Sequence, residues 1–402
     1  MEERLLKNGE SKAFYSKNEL QEYLKFRKEH DKWATPYMAS EVGVVGLDNL
    51  PLLLPGLCKD IVIKKTMYEL KTADIDPDAE EVQECLSETG LFIAFPLEGK
   101  MVTKPSTWNA YGNLLMRTDD YCGTMNRFDP KTNKKVLPID EKAARINRDL
   151  ELYGDICKIL YRDCKVQAVL SKEYVVLPAD ELVSVLEEKL AYEHPNMEFT
   201  EGSVCEEFLI ACYELNNRAI EEEIRLKLND TGININTLKA GVQFSTSDIG
   251  LSSVTADIYF ICDGTKIFLN GIRMPHKGNE TSVALFAEKL DSFGEALKDA
   301  EEMIERLGNI EVSDVAGTVR EVTEHFSSVF PNKVTSEVLE ELELQYKTGG
   351  TGIDVYMALN DIVNRHAQTN NLTPVRYLQL TEQVTKLMKL PFDRIDAGEY
   401  SW

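Results

Sequence analysis

The chain changes character at one place, the stretch Gly271-Ile272-Arg273-Met274-Pro275-His276-Lys277-Gly278-Asn279. Upstream lie runs of strand character at 240–244 and 254–262, then 266–269 after the pair Asp263-Gly264. Asp-Gly between two apolar runs is a strong signal for a two-residue hairpin turn, which needs positive φ at both positions. Downstream, Val283, Phe286, Leu290, Phe293, Leu297 and Ile304 recur along one side of a helix, so 281–307 reads as one long helix. Further helices are expected over 336–346, 352–367 and 374–390, with Gly349-Gly350 breaking the chain and a tail from Pro391. The pattern implies an α+β fold, with a mixed central region containing an antiparallel hairpin and a helical C-terminal third.

At 402 residues the chain exceeds one ordinary core, and two or three domains are expected. The divisions we read are an N-terminal α+β region at 1–160, a central α+β domain at 161–310 and a helical region at 311–402. In the first, Ser16 and Glu19 form a capping box for a helix carrying Leu20, Tyr23, Leu24 and Phe26 to about Trp33. Strands are expected at 61–63 and 91–96 and a helix within 74–88, with loop from about residue 100 until Asp140 caps a helix to about 153. Strands at 165–170 and 174–177 precede a helix that Pro178 starts and that runs to about 192. A long amphipathic helix is expected over 204–228.

Hydrophobic content of 43% with 28% charged residues is that of a globular chain. No window approaches eighteen uncharged apolar residues, so no membrane-spanning helix is expected. The polar N-terminal segment lacks the apolar stretch of a signal peptide, which points to the cytoplasm. The eight cysteines show no C-x-x-C spacing and read as small buried hydrophobes. With five histidines and none paired at helical spacing, neither a metal centre nor a cofactor is expected.

A net charge of −23 argues against bulk affinity for DNA or anionic membranes. The charge is uneven, however. Residues 100–148 hold ten Lys and Arg against five Asp and Glu, a net of +5 that leaves −28 for the rest. In this island Lys100, Lys104, Arg117, Arg127, Lys131, Lys134 and Lys135 interleave with Trp108, Tyr111, Tyr121 and Phe128, and Arg145 and Arg148 follow one helical turn apart. Cations that follow a phosphate backbone and aromatic faces on which bases stack are what single-stranded nucleic acid requires. The bland alternative makes the aromatics core and the cations partners of acidic neighbours.

Two other constellations carry candidate chemistry. Arg273, His276 and Lys277 lie in a loop ahead of a helix N-terminus, where an anion would be welcome; an architectural turn is the competing reading. Thr246-Ser247-Asp248 sets hydroxyls beside a carboxylate, but neighbours on an extended chain seldom face each other, so a turn is the stronger reading. Asp248 is also a candidate cross-sheet partner for Arg273. No Walker loop or G-x-G-x-x-G is present, and no Ser/His/Asp or Cys/His set can be assembled.

Arg273-Met274-Pro275-His276-Lys277-Gly278-Asn279 resembles the Arg-Val-Pro-His-Arg-Gly-Asn element of a domain-of-unknown-function family of phages, plasmids and prophage islands. Tyr174-Val175-Val176-Leu177-Pro178 before a helix and the Thr246-Ser247-Asp248 segment are similar in style. The resemblance spans about residues 166–307, and Met274 and Lys277 depart from the motif conservatively. It implies a mobile-element protein in a bacterial host and carries over no catalytic residue. The expected function is a non-enzymatic accessory protein, binding single-stranded DNA as a homo-oligomer. The alternatives are an acidic inhibitor that captures a basic host defence protein and, third, a hydrolase or nuclease.

Overall fold

The computed structural model describes residues 4–7, 9–35, 41–46, 89–98, 100–117, 139–152, 157–230 and 235–402. They hold twelve helices and several antiparallel sheets, an α+β fold as the sequence implies. None of these helices is long and apolar enough to cross a membrane. The chain forms two compact units, one of Met1–Leu24, Val176–His276 and Glu280–Trp402, the other of Lys25–Val175 and Lys277–Asn279. The expected divisions at 160 and 310 are therefore corrected. Residue 160 falls inside the strand Cys157–Arg162, and the C-terminal helices belong with the central strands.

The larger unit is organised on a seven-stranded antiparallel sheet. Its strands run Ser11–Phe14, Glu198–Cys205, Leu209–Glu214, Leu238–Thr246, Val254–Cys262 and Thr265–Phe268, with Ile272–Met274 also paired to Val254–Cys262. Asp263 and Gly264 adopt φ of 46° and 94°, the positive values that the hairpin turn requires. The two outer segments share one edge with a shift of register: Phe268 faces Tyr259, but Ile272 faces Ala256. One extra residue on the outer side makes a bulge. Gly271 occupies it because a Cβ there would stand 1.9 Å from the Ala256 carbonyl oxygen.

Alternation assigns the two faces. Val242, Phe244, Ala256, Ile258 and Phe260 are fully buried on the apolar one, where Phe244 meets Phe286 of the helix Val283–Leu290 at 6.0 Å between ring centroids. The opposite face carries Cys212, Gln243, Ser245, Thr255, Asp257, Tyr259 and Lys266. The helix Gly352–Asn370 lies along its edge strand. From that helix Tyr356 donates to the Phe268 carbonyl, Asn360 accepts from the Phe268 amide at 3.2 Å, and Asn364 donates to the Lys266 carbonyl at 2.8 Å. Residues at i, i+4 and i+8 thus satisfy the outward polar groups of a strand that has no further strand beside it.

The smaller unit contains two three-stranded antiparallel sheets, Asp31–Ala34 with Cys157–Arg162 and Lys165–Ser171, and Gly43–Gly46 with Leu91–Leu97 and Lys100–Pro105. Leu91, Ile93 and Phe95 pack with Tyr111 and Leu114 of the helix Trp108–Arg117 and with Ile146 and Leu150 of the helix Ile139–Leu152. Helix amides again close strand edges. Asn147 bonds both the N–H and the C=O of Val44 at 2.7 Å, while Asn109 and Asn113 bond the Gln167 carbonyl and the Val169 amide at 3.0 Å.

Several expected elements differ. The helix expected over 204–228 is a hairpin of the strands ending at Cys205 and starting at Leu209, followed by the helix Arg218–Asp230. Leu209 to Tyr213 are all buried, so both faces of that strand are covered and the apolar run shows no alternation. The long helix over 281–307 is two helices, Val283–Leu290 and Phe293–Gly308, broken at Asp291-Ser292. Lys100–Pro105 and Trp108–Arg117 are regular structure where loop was expected, and the first helix ends at His30 before the strand Asp31–Ala34. Residues 174–177 form no strand beyond a bridge from Tyr174 to Lys277. The elements expected at 61–63 and 74–88 lie outside the described residues.

Because Gly271 sits against backbone rather than a movable side chain, Gly271→Ala is expected to destabilise the fold by about 2 kcal/mol or more. A urea titration checks this; Gly264→Ala, with open space around it, should cost only its backbone strain.

Candidate functional site

Four cations of the basic island, Arg127, Lys131, Lys134 and Lys135, lie outside the described residues, as do Tyr121 and Phe128. Lys100 opens the strand Lys100–Pro105 and Arg117 closes the helix Trp108–Arg117. Lys104 donates to the Asp163 carbonyl at 3.1 Å with its ammonium 5.4 Å from the centre of the Tyr161 ring. Arg145 and Arg148 are exposed on the helix Ile139–Leu152. The two aromatics part company. Tyr111 is 2% exposed and belongs to the core, which corrects its place among base-stacking residues. Trp108 is 54% exposed, with the Tyr111 ring edge-on to it at 5.5 Å.

The helix itself explains that separation. Its Asn109 and Asn113 are committed to the neighbouring strand, and Ala110, Tyr111 and Leu114 to the core. What remains outward is the row Trp108, Gly112 and Met116, spaced by four. Met116 is 66% exposed, and nothing stands within 4 Å of where a Gly112 Cβ would be.

At the loop of the sequence motif, His276 is buried and its Nε2 lies 3.2 Å from the Thr246 hydroxyl. Ser247 is also buried and its Oγ accepts from the Leu251 amide, the turn geometry expected of it. Arg273 pairs with Glu382 of the helix Pro374–Leu387 at 2.8 Å, not with half-buried Asp248. Lys277 is exposed and belongs to the smaller unit through its bridge to Tyr174. The helix N-terminus behind the loop is already served, since Ser282 accepts from the Leu285 amide at 3.0 Å. Within the larger unit Arg273 and His276 are engaged in an ion pair and a buried contact, not held open for an anion.

Sequence reasoning missed the polar face of the large sheet. Beside Arg273, the Asp257 carboxyl sits at the bulge and is hydrogen-bonded by the Thr255 hydroxyl and the Gly271 amide. Burial pushes it up to about 6, against the opposing pull of Arg273. Farther along that face a cavity of about 450 Å³ opens between the strands and the C-terminal helices, lined in part by Gln243, Lys266, Cys212, Glu201 and Tyr377. The available signal was a polar residue in an apolar strand, Val242-Gln243-Phe244. Compared with known proteins, the chain matches no family model, no curated relative and no solved structure.

Asp257 has a pH consequence of definite sign. Its carboxyl titrates near 3.8 in an unfolded chain and at about 6 in the fold, so the folded state binds the extra proton between those values. The contribution is fully present below about pH 3.8, falls away as pH rises to about 6, and the buried charge is a burden above that. Asp257→Asn should therefore stabilise the protein at pH 8 by on the order of 2 kcal/mol and much less at pH 4, read as melting temperature against pH.

Proposed function

We propose that this chain is a non-enzymatic accessory protein that engages single-stranded nucleic acid through its smaller unit. The observation that carries this reading is the outward row of the helix Trp108–Arg117, where a half-exposed indole lies one helical turn from a glycine with open space about it. A base stacked on an exposed aromatic gains about 1–3 kcal/mol whatever its identity. The ring is held by the buried Tyr111, so little side-chain freedom is lost when a base arrives. Arg145 and Arg148 add exposed positive charge on the next helix of the same unit.

The local excess of cations acts in spite of the acidic remainder, because exposed charges beyond about 8 Å are largely screened at physiological salt. The same acidic remainder suits a basic protein partner, which is the competing reading. The mobile-element setting enters this proposal only through the resemblance of the Arg273–Asn279 motif.

Fluorescence anisotropy with a labelled oligothymidylate tests it. Affinity should fall steeply with salt, Trp108→Ala should weaken binding about tenfold, and Arg145→Glu with Arg148→Glu should lower the salt slope by about 1–2. Salt-independent binding, or full binding by the Trp108→Ala protein, would overturn the reading. Absence of binding together with stoichiometric capture of a basic protein would favour the competitor.

A further inference from the structure

The cavity on the polar face of the large sheet is built from groups whose hydrogen-bonding and charge needs the protein leaves open. Gln243 is 2% exposed in the middle of its strand. One end of its amide meets the Cys212 thiol at 3.6 Å, and the other has no partner among the described residues and opens onto the cavity. Whichever way the amide is turned, one polar end faces the space. That end is reachable from the cavity, so a ligand seated there meets it directly.

Lys266 supplies the second group. Its ammonium lies 4.1 Å from the centre of the Tyr259 ring and 5.1 Å from that of Phe268, and donates to the Cys212 sulfur at 3.5 Å. Among the described residues no carboxylate stands within 4.0 Å of it. Cys212 does not serve as its counter-ion, because burial pushes that thiol up and keeps it protonated. A half-buried ammonium held by aromatic faces, with no carboxylate in ion-pair contact, is available to an anion.

The remaining walls define what the anion is attached to. Tyr377, Leu372 and Pro374 give an apolar side and the exposed Tyr15 stands at the rim. Glu201, also at the rim and exposed, is the one acidic side chain in the lining and disfavours a doubly charged group. The volume suits a molecule of one or two rings.

We infer that this cavity binds a small aromatic monocarboxylate, its carboxylate on Lys266 and a polar ring substituent or carboxylate edge on the Gln243 amide. Nothing in this depends on the nucleic-acid reading, which concerns the other unit.

The test uses the full chain and the probes benzoate, indole-3-carboxylate, benzamide and phenyl phosphate, followed by ligand-observed NMR and by melting temperature. The carboxylates should bind saturably, with benzamide and phenyl phosphate at least about tenfold weaker. Lys266→Met should abolish carboxylate binding and Gln243→Leu should weaken it about tenfold, with unchanged circular dichroism. Trp108→Ala should leave carboxylate binding intact. Should either cavity variant fail to fold, the comparison of benzoate with benzamide on the natural chain still decides. Equal affinity for those two, binding that survives both cavity substitutions, or no saturable binding by either carboxylate would overturn the inference.

Discussion

The architecture depends on how its sheet edges are closed. Short antiparallel sheets leave rows of unpaired amides and carbonyls, and this chain answers them with helix-borne polar side chains, asparagines and one tyrosine, in place of further strands. Tyr356, Asn360 and Asn364 do so for the strand Thr265–Phe268, Asn109 and Asn113 for Lys165–Ser171, and Asn147 for Gly43–Gly46. A side-chain amide offers one donor and one acceptor direction, the same pair a strand residue presents, so each helix is locked in register as well as in place.

Both candidate sites inherit their geometry from those locks. Commitment of Asn109 and Asn113 to a strand fixes the rotation of their helix and thereby turns Trp108, Gly112 and Met116 outward. Likewise, the Asn364 amide holds the helix Gly352–Asn370 against Lys266, and its carbonyl receives the Tyr377 hydroxyl at 2.9 Å. One asparagine therefore positions the strand that carries the cation and the helix that supplies the opposite wall.

Much of the large sheet was legible because its signals are local. Asp263-Gly264 dictates a turn by backbone sterics alone, and the spacing of Val283, Phe286 and Leu290 marks the helix that follows. What was illegible required knowledge of the other side of an element. Leu209 to Tyr213 is apolar on both faces, so its period cannot distinguish strand from helix. Asn360 and Asn364 look like ordinary solvent-facing residues until the edge strand is set beside them. Tyr111 and Trp108 are three positions apart, yet only packing separates the buried ring from the exposed one. The motif at Arg273–Asn279 attracted notice through its charges, and in the fold its histidine is interior and its arginine is paired.

The polar face of the large sheet would be expensive to bury if its groups were not matched. Ser245 and Thr255 bond each other at 2.8 Å, and Thr255 with Gly271 serves Asp257. Two buried groups stand apart from this matching in different ways. The Nε2 of His194 has no partner, but its ring packs edge-on to Phe293 at 6.1 Å and burial lowers its proton affinity, so it rests as a neutral imidazole in an apolar setting. That orphaned nitrogen costs about 1–3 kcal/mol, as any buried polar atom without a partner does. Gln243 differs, because its free end is reachable from a cavity that also holds an ammonium with no carboxylate in ion-pair contact among the described residues. Packing could have filled that space with a leucine at position 243 at little expense to the sheet. An amide there, beside Lys266, is better matched to an occupant than to the empty fold.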